Sequence, residues 1–504
     1  MSWSSARVEL DASSRSVRDA EVDLLILPMF EGPSPGPRVR EAGTAMGADL
    51  VTMFAAEGLT GRPEDSLETA SVGQLRARNL LLVGVGAQGE AGADAVREAA
   101  ARAAETAARH RTVATTLAQL GSDARASAVA LTEGLLLGAH RLDRYKYEPV
   151  DDASKRPPEL ETVEALTTHS HVEPTRNGLH RGTVSAGVTN WARDLVNTPA
   201  QDATPASLAS EARAMATREG LECRVWSRAE LARGGFGGIL GVGRGASNEP
   251  RMVELTYRCA SAREKPVAIT GKGITFDSGG LDLKNDGEME WMKSDMAGAA
   301  AALATIRAAA ELDLHVNVDV VVAFAENMPG ANATRPGDVL MHRGGTTSEV
   351  LDTDAEGRVL LADVLAYLSE REPAAILDSA TLTDGSGLGP DLWAVMGSDR
   401  ALAAELVSSG AEAGEPGWGI PLWQPYLRYI TDSSVADVKN VGDHYIDSAM
   451  MAGLFLQRFV GGVPWAHLDT ASSAWAEHDT DLWPSGATGS PARTFIRFLE
   501  RRAK

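Results

Sequence analysis

Cysteine is almost absent: Cys223 and Cys259 are the only two in 504 residues. Two thiols cannot build a disulfide framework for so long a chain, and no Cys-x-x-Cys spacing exists for zinc or redox chemistry. The scarcity suits a reducing cytoplasm. Positive charge is also short. Lys+Arg number 48 against 69 Asp+Glu, a formal net charge of -21, which repels nucleic acid and anionic lipid wherever cations are not clustered. No uninterrupted apolar stretch reaches the roughly eighteen residues of a membrane span; the Ala-rich segment 296–314 is broken by Arg307, Glu311 and Asp313. The amino terminus lacks the apolar run of a signal peptide. No His-Glu-x-x-His occurs among the ten scattered histidines, and Gly-x-Ser-x-Gly survives only in broken form as Asp384-Gly-Ser-Gly-Leu388. These two absences argue against a His-based zinc peptidase and an elbow-type serine hydrolase.

What remains is an ordinary globular composition, 44% hydrophobic and 23% charged. The length suits two generous domains or three average ones. Residues 22–29 and 79–85 predict buried strands, and the Ala-rich 91–120 and 127–144 predict helices, the second capped by Ser127. Residues 145–174 read as a linker, with Pro149, Pro157, Pro158 and Pro174 among many charges and a short strand at 161–166. Beyond it, 183–196, 206–219 and 298–312 predict helices, and 267–270 and 316–325 predict strands. The expected fold is α/β: an N-terminal α/β domain over 1–174, with its linker near 145–174, and a larger C-terminal α/β domain over 175–504. Gly84-Val-Gly-Ala-Gln-Gly89 fits the dinucleotide pattern Gly-x-Gly-x-x-Gly. No acidic residue closes a following strand about twenty residues on. A Gly-rich turn is therefore the preferred reading, and a nicotinamide-dependent oxidoreductase only a formal alternative.

The chemistry concentrates between residues 270 and 361. Gly271-Lys-Gly-Ile-Thr-Phe-Asp-Ser-Gly-Gly280 runs out of a predicted strand and holds Lys272 and Asp277; Lys284 follows. Asp295 stands at the mouth of the helix near 298, and Asp352-Thr-Asp-Ala-Glu-Gly-Arg358 opens another helix. Strand ends and helix starts of this kind face the carboxyl edge of a sheet, where α/β enzymes place their sites. Taken singly, Asp352, Asp354 and Glu356 read as carboxylates answering a helix dipole, and Lys272 and Lys284 as solvated charges. Taken together, Asp277, Asp295, Asp354 and Glu356 could hold two divalent cations that activate a water and clamp a tetrahedral intermediate. Oxygen-rich ligation suits Mn²⁺ or Mg²⁺, and Zn²⁺ also fits. A neighbouring cation disfavours a charged Lys and exposes its amine lone pair, while a second, protonated Lys can steady an oxyanion.

These blocks resemble the leucyl (cytosol) aminopeptidase family of di-metal exopeptidases, whose signature Asn-Thr-Asp-Ala-Glu-Gly-Arg-Leu stands here as Asp352-Thr-Asp-Ala-Glu-Gly-Arg-Val359. Further matches are Ala192-Arg-Asp-Leu-Val-Asn-Thr-Pro199, Arg335-Pro-Gly-Asp-Val-Leu340, Ala380-Thr-Leu-Thr383 and Val435-Ala-Asp-Val-Lys-Asn440. The resemblance is strong over about 180–504. It is weaker before that, resting mainly on Leu137-Gly-Ala-His-Arg-Leu-Asp-Arg-Tyr-Lys146. It implies an N-terminal domain like a macro domain, a catalytic domain with a central mixed sheet flanked by helices, and a homohexamer built as a dimer of trimers. It implies Lys272, Asp277, Asp295 and Glu356 as ligands of a tightly held metal, and Asp277, Asp354 and Glu356 as ligands of an exchangeable one. Lys284 would polarise the scissile carbonyl, and Arg358 would hold a bicarbonate proton shuttle. The substrate is implied to be a peptide with a free N-terminus, its α-amine bound by a metal and Asp295, its first residue lined by Met292, Thr381 and Leu382.

The departures from the family lie toward the substrate. Asp352 replaces the signature Asn, which predicts a raised local pKa or a taste for cationic substrates. Asp384 replaces a small glycine, Asp469-Thr-Ala-Ser472 replaces Asp-Ile-Ala-Gly, and His444-Tyr-Ile-Asp-Ser-Ala-Met-Met451 replaces a Gly/Ala-rich stretch. The competing readings are a general metallo-aminopeptidase, a peptidase specialised for one peptide-like metabolite, and a binding protein of the DNA-associated kind, against which the charge argues.

Overall fold

The structure, a computed structural model, describes residues 8–142, 145–146, 160–285, 287, 289–383, 387–442 and 446–503. It divides into two compact units, Met1–Gly187 with His478–Pro484, and Val188–Glu477 with Ser485–Lys504.

In the first unit the apolar runs become the inner strands of a sheet. β1 (Glu9–Ser13), β2 (Leu24–Phe30), β3 (Ser66–Ala70), β4 (Asn79–Gly84), β5 (Thr112–Thr115) and β6 (Thr162–Leu166) lie in the order β1-β6-β5-β2-β4-β3. Of these pairings only β3–β4 is antiparallel. β2 is buried at all seven residues because both faces of the sheet are covered. Leu24 and Ile26 enter one apolar core, Leu25, Leu27 and Met29 another.

Three helix expectations are corrected here. The Ala-rich run 91–120 is not one helix: α1 (Ala93–Ala107) stops, and β5 follows within it. The β-branched Thr112, Val113 and Thr115 favour a strand that the surrounding alanines concealed. Ser127 does not cap the next helix. α2 (Ala124–Gly138) begins three residues earlier, with Asp123 accepting from the backbone N–H of Arg125 and Ala126, and Ser127 is buried a turn inside. The helix expected at 183–196 starts eleven residues sooner, as α3 (Val172–Asn197). Pro174 sits in its first turn, where its missing N–H costs nothing. Gly178 and Gly182, which look like breakers, let α3 approach α2. A Cβ would stand 2.3 Å from the Arg125 carbonyl oxygen at Gly178, and 2.8 Å from that of Val129 at Gly182. The Gly84–Gly89 segment is likewise a packing turn, since a Cβ on Gly84 would lie 1.8 Å from the Arg62 carbonyl oxygen. Of the linker stretch 145–174, residues 147–159 lie outside the described residues; β6 and the first turn of α3 occupy its later part.

The second unit is built on a mixed sheet. Its strands are β7 (Glu222–Trp226), β8 (Arg251–Tyr257), β9 (Val267–Gly271), β10 (Ile274–Asp277), β11 (Val318–Asn327), β12 (Ala375–Ala380), β13 (Trp393–Gly397), β14 (Gly417–Gly419) and β15 (Trp465–Asp469). They lie in the order β14-β13-β15-β12-β9-β11-β8-β7, with β10 paired to β11. The four central strands β15, β12, β9 and β11 are parallel, flanked by antiparallel β13 and β8. Alternation along β12 sends side chains both ways. Ser379 meets α5 (Ala297–Glu311), while Ile376 and Ala380 join a core with α6 (Glu356–Ser369) and α7 (Ser448–Gln457). This is the helix-flanked mixed sheet that the family resemblance implies.

The register brings the chemistry to one edge. Gly271 pairs with Ser379, Ala380 with Asp469, and Asp277 with Asn327. Lys272, Asp277, Thr381, Leu382 and Asp469 therefore emerge together at the carboxyl ends of the strands.

Candidate metal centre

Two lysines and four carboxylates meet at this edge. Lys272, the residue after β9, places Nζ 2.8 Å from Asp295 Oδ1 and 2.7 Å from Glu356 Oε1, and donates to the Thr381 carbonyl oxygen at 3.1 Å. Its stem passes Gly357, where a Cβ would come within 2.5 Å of Lys272 Cε; the glycine of the Glu-Gly-Arg sequence leaves room for the lysine. Lys284 places Nζ 3.0 Å from Asp277 Oδ2 and 2.6 Å from Asp354 Oδ1. The turn between Asp277 and Lys284 is closed by Gly279 and Gly280, both at positive φ. At Gly279 a Cβ would also strike the Asp282 carbonyl oxygen at 2.2 Å.

The carboxylates do not serve as helix caps. The N-cap of α6 is Ala355, with no side-chain bond, so Asp354 and Glu356 turn to the lysines instead. Asp277, Asp354 and Glu356 can each offer one oxygen within 4.8 Å of the others. Asp295 joins through Lys272 and accepts from the Thr381 hydroxyl at 2.7 Å. Asp295 Oδ2 and both Glu356 oxygens are buried without a hydrogen bond; Glu356 Oε1 has only its ion pair with Lys272. Buried carboxylate oxygens without donors are costly. Four carboxylates against two ammonium groups leave an excess of negative charge that divalent cations fit.

The electrostatics reflect that excess. Burial and the Asp277 charge push Asp354 up to about 6, against the pull of Lys284. Burial and Asp277 also raise Asp295 and Glu356, with Lys272 opposing. Burial works against both ammonium groups, but their carboxylate neighbours outweigh it and hold Lys272 and Lys284 above the ordinary lysine value.

The remaining predicted residues line the surroundings. Met292 is half-buried on the 3₁₀ segment Met289–Met296, three residues before Asp295 and so on the same side of that turn. Leu382 is buried beside Asp469, whose Oδ1 accepts its N–H at 3.2 Å. Arg358 lies buried in the first turn of α6 and donates from Nη1 to the Asn440 carbonyl oxygen at 3.0 Å. Its Nε is buried without a partner. Burial lowers its pKa, against the charges of Glu356, Asp469 and Asp352. Asp352 is half-buried, and its Oδ1 accepts from the Asp354 N–H at 2.8 Å, a bond that an Asn oxygen would make equally well. Asp384 and His444 lie outside the described residues; Asp447, from the same departing stretch, caps α7.

Other residues complete the site without having been singled out from sequence. Asn327 donates to Asp277 Oδ1 at 2.7 Å and to the Thr353 carbonyl oxygen at 3.0 Å. The Thr353 hydroxyl donates to the Gly279 carbonyl oxygen at 2.7 Å. Asn440 accepts from Leu351 N–H and donates to the Asp352 carbonyl oxygen. Asn440 closes a matched block and Asp469 opens a departing one, but single polar residues at strand ends give no signal of which loop they will hold.

The family model described as cytosol aminopeptidase family, catalytic domain, matches residues 190–496, and that for the N-terminal domain matches 26–149. A probable cytosol aminopeptidase of Roseiflexus castenholzii is 40% identical over 95% of this chain and 96% of its own. One of Streptomyces griseus is 42% identical over 94% of each. Among solved structures, the bottromycin maturation enzyme BotP in complex with Mn is 36% identical, with a TM-score of 0.84 over 96% of this chain and 100% of its own. A tomato leucine aminopeptidase mutant is 29% identical, with a TM-score of 0.86 over 99% of this chain and 98% of its own.

Proposed function

The chain belongs to the cytosol aminopeptidase family, and from that premise we propose how its residues divide the work of a metal-dependent aminopeptidase. The observation that carries the reading is the set of buried carboxylate oxygens without donors around Lys272. Lys272, Asp277, Asp295 and Glu356 would hold one divalent cation, and Asp277, Asp354 and Glu356 a second, exchangeable one. Two such cations supply the Lewis acidity that activates a water, and the positive charge that favours the neutral amine of Lys272. Mn²⁺ is supported by the Mn-bound relative; Zn²⁺ and Mg²⁺ suit the same donors.

The protein's own groups do the rest. Lys284, fixed between Asp277 and Asp354, directs an ammonium at the scissile carbonyl oxygen and steadies its developing charge. The substrate α-amine pairs with Asp295, so that only a terminal residue is positioned for cleavage. Met292, Thr381 and Leu382 line the first side chain, and Asp352 adds a negative charge beside it. Arg358 would hold a bicarbonate that shuttles a proton; the unpartnered Nε supports an anion there. On this reading 1–174, with its linker near 145–174, is the N-terminal domain and 175–504 the catalytic one. The protein works in the cytoplasm as a homohexamer. No helix among the described residues is long and apolar enough to cross a membrane. The matching family and these cytosol aminopeptidase relatives favour peptide substrates over a DNA-associated role or a single peptide-like metabolite.

The test is hydrolysis of free-amine dipeptides and aminoacyl-anilides by metal-stripped protein reloaded with Mn²⁺, Zn²⁺ or Mg²⁺. Turnover should depend on metal and fall about 10²–10³-fold in Lys284→Ala. A fully loaded protein with no turnover on any free-amine peptide would sink the reading.

A further inference from the structure

Asp469 stands at the end of β15, two residues beyond His467 on the same face of the strand. It is buried and takes three donors. Oδ1 accepts the N–H of Leu382 at 3.2 Å and of Ala471 at 3.1 Å, and Oδ2 accepts the Thr383 hydroxyl. A carboxylate accepts from all three, whereas an amide would meet the Thr383 hydroxyl with an N–H and force that hydroxyl to turn round and accept. No ion pair within 4.0 Å balances it among the described residues. Asp469 favours the charged forms of buried Arg358 and of buried His467, whose Nδ1 meets Asp378 Oδ1.

The segment that Asp469 holds is tied at its other end to the metal centre. The Thr381 carbonyl oxygen accepts from Lys272, and the Thr381 hydroxyl donates to Asp295. Leu382 sits between the two anchors. We propose that Asp469 is a positioning residue that sets substrate preference. By fixing Leu382 N–H and the Thr383 hydroxyl, it determines where Leu382, assigned above to the first-residue pocket, stands relative to Lys272 and Asp295. This rests on the peptidase reading above. A wall displaced by a fraction of an ångström changes the fit of large and small side chains differently, as pocket contacts do.

The experiment compares wild type, Asp469→Asn, Thr383→Val and Thr383→Ser, all Mn²⁺-loaded. Each is assayed for kcat and KM on Xaa-Gly dipeptides whose first residue runs from Ala through Leu to Trp, with bound metal measured alongside. Thr383→Val keeps the shape and removes the hydroxyl; Thr383→Ser restores it. The expected result is full metal content in all four. Asp469→Asn and Thr383→Val lose about tenfold in kcat/KM on the preferred residue while the ranking of first residues shifts. Thr383→Ser behaves as wild type. Rankings that stay fixed, with losses uniform or tracking lost metal, would overturn the inference and leave Asp469 a structural residue. Wild-type turnover with both variants within twofold of it would overturn the inference alone. Wild-type protein without turnover on any dipeptide would overturn the peptidase reading and this inference with it.

Discussion

Single atoms decide several features of the site. Gly357 is the plainest case, because a methyl group there would collide with Lys272 Cδ and Cε at 2.6 and 2.5 Å. Gly357→Ala should leave the helix intact, since Ala favours helix, yet move the Lys272 amine. We expect kcat/KM to fall about 100-fold, the order of loss that a displacement near 1 Å produces, with helix content by circular dichroism unchanged. Asp352 is a case of the opposite kind. Its Oδ1 makes a turn bond that an Asn would keep, so Asp352→Asn should preserve fold and metal content. It should change only the charge-dependent part of substrate choice, read as a lower ratio of Lys-first to Leu-first turnover. An unchanged ratio would show that the carboxylate does not reach the substrate.

Among the elements, α5 approaches β9 and β12 more closely than side chains allow. A Cβ on Gly298 would stand 2.0 Å from the Ser379 carbonyl oxygen, and one on Gly271 would be 2.2 Å from the Gly298 carbonyl. Gly298→Ala should therefore destabilise the catalytic unit by about 1–3 kcal/mol through overpacking, measured as a lower denaturant midpoint. β15 carries a pH term of its own. Burial works against a charged His467, but Asp378 outweighs it and raises the imidazole above its ordinary value. A raised folded-state pKa gives stability that is full below about 6.5 and is lost as pH climbs through the folded value. The stability gap between wild type and His467→Gln should accordingly be widest in mild acid and narrow at alkaline pH. A gap that widened with pH would contradict that pairing. These elements also show what was readable in advance. The blocks around Asp277, Asp295 and Asp354 were legible because strand ends and helix starts announce themselves by Gly punctuation and clustered charge. β5 was not, because four strand residues sit among alanines whose helix propensity dominates any window. The early start of α3 was hidden because Gly178 and Gly182 act through contact with α2, which only the folded chain reveals. Asn327, Thr353 and Asp469 were missed as loop-holders for the same reason: the partners Thr353, Gly279 and Leu382 lie 26 to 87 positions away from them.

The whole molecule is acidic, and its buried charge is concentrated in the catalytic unit. Metal binding there should be linked to folding, since cations that bind the folded cluster more tightly than the unfolded chain stabilise it by mass action. The melting temperature should rise with Mn²⁺ concentration in wild type and respond much less in Asp277→Asn. Equal responses would place the stabilising metal elsewhere. Nucleic acid should bind neither form appreciably at physiological salt, given the net charge of -21.

The strands that deliver the chemistry share one register, so their two ends differ in tolerance. At the carboxyl edge an inserted residue would break pairs such as Ala380 with Asp469 and flip every following side chain to the other face. The turn 258–266, joining β8 to β9 at the amino edge, is mostly exposed and carries none of the site residues. It is therefore the place to splice in a fluorophore tag or affinity handle, because added length there can be absorbed in solvent without shifting the phase of the sheet.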